Sequence, residues 1–447
     1  NRHRRRPGKS EKSSFIISAM RSFPPITAHI AKSTIQRHWR AGIAVIAGLL
    51  VVIVATAPWH GDSNPKPAAD STSTATTHAT SKATAKTAAP KPRVQVTDGV
   101  VKINAPVTLR ASGKTKMPWP SKGQASISIA GVGSFGASGS KAPVPTASVA
   151  KAMTAYLILK HHPLTGHPLK LSVHRNEAQA FRHEVAMGQS LVPVRSGEVL
   201  TERQALQALM LASADNMAKI LARWDAGSVP AFVAKMNAQA KALSMTHTHY
   251  TDPSGYDKRT KSTVGDQMKL ADAALHLPGF QAVVSQRTAV IPVAGKIQNF
   301  NKLLGEPGVV GIKTGSMSAA GGCLLFAAKA KVAGKTVTIL GTVLGQRSGS
   351  IGDLHQAFVS SHNLLAAVHK AVRPVKIVQK NQIVAKVPGT KSVLVAANDV
   401  TIPGWRGMVL PSHVTASVST NPANGARVGM LTVGHVGKAT LVVRNTH

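Results

Sequence analysis

The chain has 447 residues, 43% of them hydrophobic, and a formal net charge of +37. That length allows two or three packed domains, and the single cysteine, Cys323, excludes an intrachain disulfide. The charge does not make a nucleic-acid binder: residues 1–40 carry +9 and the remaining +28 is spread thinly, with no basic stripe, interleaved aromatics or zinc-finger spacing, so an anionic envelope polymer or a lipid surface is the more natural counterpart.

Residues 41–57 (AGIAVIAGLLVVIVATA) are uncharged and mostly apolar. As a helix rising about 1.5 Å per residue they reach roughly 25 Å, just enough to cross a bilayer. Arg37 and Arg40 abut the N-terminal end. Positive flanks stay inside, so a cytoplasmic N-terminus and an extracytoplasmic bulk are expected. Ala55-Thr56-Ala57 has the look of a signal-peptide cleavage site. However, Pro58 follows it and the basic lead of residues 1–40 is long, so a retained single-pass anchor in the cell membrane is the expectation. Residues 58–95 are rich in Ser, Thr, Ala, Pro and Lys. They cannot bury enough apolar surface to offset ordering, and read as a flexible linker.

Folded structure is expected from about Val96. Residues 125–136 alternate and are glycine-rich, a hairpin pattern. Residues 146–161 have a helical pattern. Thr201 opens a second helix with Gln204 at the capping-box position. Residues 309–330 and 336–344 read as strands, and 358–372 as a closing helix. After Pro374, short alternating runs punctuated by Pro-Gly and Asn-Gly mark a small β-rich domain over 373–447. The domain over 96–372 is expected to be α/β.

Three short motifs inside that domain carry the chemistry. In Ser148-Val149-Ala150-Lys151, helical spacing puts the amine on the same face as the hydroxyl. A lysine is a poor base at neutral pH unless it is desolvated or faces another cation, and the apolar neighbours Val149, Ala150, Ala152 and Met153 suit such a pocket. Ser138-Gly139-Ser140-Lys141 has the same spacing, but its Gly/Ser surroundings read as a turn, where three-residue spacing fixes no geometry. Ser213-Ala214-Asp215 ends a helical run and supplies polar groups. Lys313-Thr314-Gly315 follows an apolar strand; it offers a second cation and, at Gly315, room for a substrate backbone along the strand edge.

These motifs, in this order, resemble the signature of the penicillin-recognising serine hydrolases. The surrounding sequence resembles the low-molecular-weight penicillin-binding proteins among them, the serine D-alanyl-D-alanine carboxypeptidases. The resemblance covers residues 120–370, including Gly188-Gln189-Ser190, Asp252-Pro253-Ser254-Gly255 and Asn299-Phe300-Asn301. It implies a β-lactamase/transpeptidase-like fold: an antiparallel sheet with helices on both faces, a helical subdomain carrying Ser213, and a small β-rich C-terminal domain. It also implies roles. Ser148 is the nucleophile, Lys151 the general base and Ser213 the proton shuttle. Asp215, Asn216, Lys313, Thr314, Gly315 and Ser316 line the substrate site. The implied partners are a peptidoglycan stem peptide and, as covalent inhibitors, β-lactams; no cofactor or metal is expected.

One position departs from the family, which usually carries Asn where Asp215 stands. An ionised carboxylate accepts hydrogen bonds but cannot donate them. It can pair with Lys151 or Lys313 and blunt the base, or the loop can shift to present Asn216. Endopeptidase or transpeptidase activity on the same site, and a catalytically weak wall-binding scaffold, are the alternatives. Cys323 lies in an apolar strand and reads as a buried small hydrophobe. Glu177 and Glu184 would be candidate deacylation bases only in a β-lactamase.

Overall fold

The run Cys323-Leu324-Leu325-Phe326-Ala327-Ala328 is apolar without alternation, the mark of a strand buried on both faces. In a computed structural model of the chain, which describes residues 93–332, 334–348 and 352–446, it is the core of the strand Gly321–Val332. That strand pairs antiparallel with Val309–Met317 on one side and Lys335–Gln346 on the other. The hairpin Gln124–Ile129 and Gly133–Ser138 completes a five-stranded, wholly antiparallel sheet, with Val309–Met317 as one edge.

Successive side chains of Gly321–Val332 serve two cores. Cys323, Leu325 and Ala327 join the one that contains Leu270, Ala271 and Ala274 of the helix Val264–Leu275. Leu324, Phe326 and Ala328 join the one that contains Ala357, Leu364, Leu365 and Val368 of the helix Asp353–Ala371. Helices therefore cover both faces, as expected. The closing helix starts at Asp353, five residues earlier than its sequence pattern indicates.

The helix Lys151–His161 is buried from Lys151 to Leu159. A helix apolar on all sides needs cover all round, and it packs against Glu202–Met210, Asp215–Ala226 and Val229–Ala242. Thr201 caps the first of these: its hydroxyl accepts from Gln204 N–H at 3.2 Å, and Gln204 Oε1 accepts from Thr201 N–H at 2.9 Å. This is the helical subdomain expected around Ser213.

The β-rich domain differs from expectation in membership. Its sheet has seven strands, ordered Arg93–Thr97, Val100–Arg110, Val409–Ser419, Arg427–Val433, Gly437–Asn445, Ser392–Ala396 and Ile383–Lys386. Val100–Arg110 pairs residue for residue with Val409–Ser419. Residues 93–110 thus belong with the C-terminal sheet, whereas sequence reading placed 96–110 in the peptidase domain. The strand Val400–Gly404, unforeseen from its pattern, pairs with Arg373–Val378. Phe135 stacks on Trp405 at 3.9 Å between ring centroids, tying the hairpin to this module.

The basic lead, the apolar run 41–57 and linker residues 58–92 lie outside the described residues. Among the described residues no helix is long and apolar enough to cross a membrane.

Candidate active site

A 3-10 turn, Ala147–Ala150, runs directly into the helix Lys151–His161. In such a turn residues three apart stand in line, so Ser148 and Lys151 meet. Lys151 Nζ lies 2.7 Å from Ser148 Oγ. Ser148 is half-buried and its amine partner fully buried. Ala147, just before Ser148, is held in the left-handed region at φ 45°. Gly255 locks this turn from behind: at φ +79°, the place of its absent Cβ is 1.9 Å from the Ala147 carbonyl oxygen.

Lys151 makes two further hydrogen bonds, to Asp215 Oδ1 at 2.5 Å and to the Ser254 carbonyl at 2.9 Å. Asp215 is the first residue of the helix Asp215–Ala226, where the dipole favours a carboxylate. Its Oδ2 accepts from Ser190 N–H at 3.1 Å, and its own N–H donates to the Ser190 carbonyl at 2.7 Å. The Ser254 carbonyl is aimed by Asp252, whose Oδ2 accepts from Ser254 N–H and Oγ–H, and by Thr154, which bonds the Pro253 carbonyl at 2.6 Å.

Ser213 sits in the loop between the two helices at φ 61°, nearly buried, and its hydroxyl makes no hydrogen bond among the described residues. Asn216 faces elsewhere. Its Nδ2 donates to the Val192 carbonyl at 2.8 Å and its Oδ1 accepts from Met217 N–H at 3.0 Å. The loop does not shift to present Asn216: Asp215 is the residue that reaches Lys151.

The edge strand Val309–Met317 closes the other side. The place of Gly315's absent Cβ is 3.0 Å from Ser148 N and 2.9 Å from the Thr146 carbonyl oxygen, so a side chain there would displace the turn that carries Ser148. Lys313 is 1% exposed. Its Nζ bonds the Thr314 carbonyl at 3.0 Å and, at 3.5 Å, the Thr314 hydroxyl. Burial, and then the charge of Lys151, hold the Lys313 amine well below the usual lysine range, with Asp215 a partial offset. Thr314 is buried beside it and Ser316 is exposed.

Two contributors carried no sequence signal as site residues. Ser254 acts through a backbone carbonyl, which any residue type supplies. Arg347 ends the neighbouring strand region and donates to the carbonyls of Ser318 and Ala319, just past Ser316, at 2.7 and 3.1 Å. Glu177 and Glu184 are committed to Arg223 and Lys219, joining the helix Arg175–Ala186 to Asp215–Ala226. Cys323 is fully buried, and burial pushes its thiol up to about 12. No cluster of three or more side chains suited to a metal occurs among the described residues.

Residues 136–346 match the D-alanyl-D-alanine carboxypeptidase family. A D-alanyl-D-alanine carboxypeptidase of Streptomyces sp. (strain K15) is 33% identical over 220 residues, 45% of this chain and 73% of that one. D-alanyl-D-alanine carboxypeptidase DacB2 of Mycobacterium tuberculosis is 38% identical over 136 residues, 29% of this chain and 46% of the relative. The match thus spans less than half of that relative's length. The crystal structure of the Streptomyces K15 DD-transpeptidase superposes with a TM-score of 0.50 at 26% identity, covering 56% of this chain and 98% of that one. With its fold, its motif order and most of the K15 relative aligned, this chain belongs to the D-alanyl-D-alanine carboxypeptidase family.

Proposed function

We propose that the protein is a membrane-anchored serine D-alanyl-D-alanine carboxypeptidase that removes the terminal D-alanine from peptidoglycan stem peptides outside the cell. The observation that carries this reading is the buried Lys151 amine 2.7 Å from Ser148 Oγ, with Lys313 and Thr314 on the adjoining strand edge. Ser148 Oγ attacks the carbonyl between the last two D-alanines, and its proton passes to Lys151. The Ser148 and Ser316 N–H groups receive the developing oxyanion, a contribution of about 2.7–4 kcal/mol for one donor in a comparable site. Ser213 relays a proton to the departing D-alanine, whose carboxylate is held by Lys313 and Thr314. Water then releases the acyl-enzyme. No cofactor enters the sequence, and β-lactams trap Ser148 as a long-lived ester.

Fluorescent penicillin labelling of wild type and Ser148→Ala protein tests the nucleophile. Labelling is expected for the wild type alone; equal labelling of both rejects the assignment. A second reading, transfer of the acyl group to another stem peptide, is favoured by the likeness to the K15 DD-transpeptidase. Product analysis separates the readings: free D-alanine alone, newly joined peptides as well, or cleaved cross-links in the endopeptidase case.

A further inference from the structure

The geometry points to Asp215 as a latch on the catalytic base: it holds Lys151 as an ammonium donating to Ser148, so turnover requires that this proton first leave. The inference rests on the proposed acyl-enzyme reading and assigns the pH control of that same site.

Lys151 Nζ has three partners, Ser148 Oγ, Asp215 Oδ1 and the Ser254 carbonyl, at 2.7, 2.5 and 2.9 Å. A lysine ammonium has three donors and no acceptor. The carboxylate and the carbonyl can only accept, so they take two N–H donors; the Ser148 hydroxyl can donate or accept, and the buried carboxylate at 2.5 Å favours the charged form, in which Lys151 donates to the hydroxyl as well. A base needs a lone pair directed at the Ser148 hydroxyl, which an ammonium lacks. The Lys151 and Asp215 side chains are 0% and 5% exposed, so solvent screens the pair little. Asp215 is further held in place by the Ser190 N–H, and it sits at the helix N-terminus, where the dipole favours negative charge.

The other charged groups around the pair do not replace this hold. Lys313, from the edge strand, bonds only Thr314 among the described residues and opposes a second positive charge. Asp252, on the loop that delivers Ser254, is committed to Ser254, Tyr256 and Thr260. Tyr256 on that loop donates its phenol to the Met187 carbonyl. Asp215 is therefore the only carboxylate bonded to Lys151 among the described residues.

The chemistry balances in two steps. An N–H bond of Lys151 breaks and its proton goes to solvent base, leaving the amine lone pair. The Ser148 O–H bond then breaks toward that lone pair as the Oγ–carbonyl carbon bond forms. Asp215 bonds Lys151 and Ser190 rather than Ser148, so it acts through the base as a positioning residue.

The test is the pH dependence, from about pH 5 to 10, of D-alanine release (kcat/KM) and of fluorescent-penicillin acylation, in wild type, Asp215→Asn and Asp215→Ala. Both variants are expected to move the acid limb to lower pH, the direction that follows from losing an adjacent opposite charge. At pH 6 they should react at least tenfold faster than wild type, and the curves should meet at alkaline pH. Coincident acid limbs, or a uniform loss at every pH, overturn the latch and leave the carboxypeptidase reading standing. Absence of Ser148-dependent acylation at every pH overturns that reading and the latch with it. Should neither variant fold, the wild type still decides: a profile rising toward alkaline pH supports the latch, and one already flat between pH 6 and 8 overturns it.

Discussion

Gly255→Ala is the sharpest probe of how Ser148 is positioned. An added Cβ would lie 1.9 Å from the Ala147 carbonyl oxygen and 2.9 Å from Ala150 Cβ, where ordinary contact begins at 3.4 Å, so the two segments must part by about 1.5 Å. The backbone at φ +79° adds strain of its own, roughly 1–2 kcal/mol for a residue with a Cβ. Overpacking adds about 1–3 kcal/mol more. The displaced atoms flank Ser148 on one side and the Ser254 carbonyl that holds Lys151 on the other. A misplacement near 1 Å can reduce turnover about 100-fold. The variant should therefore lose roughly 2–5 kcal/mol in denaturant unfolding and acylate with penicillin about two orders of magnitude more slowly. Wild-type acylation with unchanged stability would refute the claim that this glycine sets the nucleophile turn.

Lys313→Met should abolish D-alanine release yet leave the fold more stable, by roughly 1–4 kcal/mol if it follows other buried charges replaced by apolar groups. The folded-state amine is held below the ordinary lysine range. The unfolded chain therefore binds more protons in that window, and wild-type stability rises with pH toward about 10.4. Urea titrations from neutral to alkaline pH should show this slope in the wild type and a flatter one in the variant. Glu202 has the opposite sign: it is buried, its Oε1 lacks a hydrogen-bond partner, and burial pushes it up to about 7 from 4.5. Its contribution is present below the unfolded value and lost as pH rises through the folded one. Glu202→Gln should thus gain stability relative to wild type between pH 5 and pH 8; a constant difference would contradict the reading.

The parts legible in sequence are those with local causes. Three-residue spacing at the start of an apolar helix placed Lys151 beside Ser148. The Thr201–Gln204 capping box marked a helix start to the residue, and an unbroken apolar run marked the strand Gly321–Val332. What escaped depends on distant partners or on backbone atoms. The alternation in Val100–Arg110 reveals a strand, but nothing in it names Val409–Ser419 as its neighbour. The Ser254 carbonyl has no side-chain signature. Whether Asp215 or Asn216 faces Lys151 depended on where the helix after Ser213 begins, and its start at Asp215 answers that.

The pairing of Val100–Arg110 with Val409–Ser419 also sets an order of events during synthesis. Ser148, Lys151, Asp215 and Lys313 all leave the ribosome before that first long strand can find its mate, some 300 positions downstream. Contacts this remote in sequence are slow to form. The early strand must therefore wait with only Arg93–Thr97 beside it while Ser148, Lys151 and Lys313 are brought together. A stop codon placed after residue 372 would leave it waiting permanently, with a bare sheet edge offered to any passing chain.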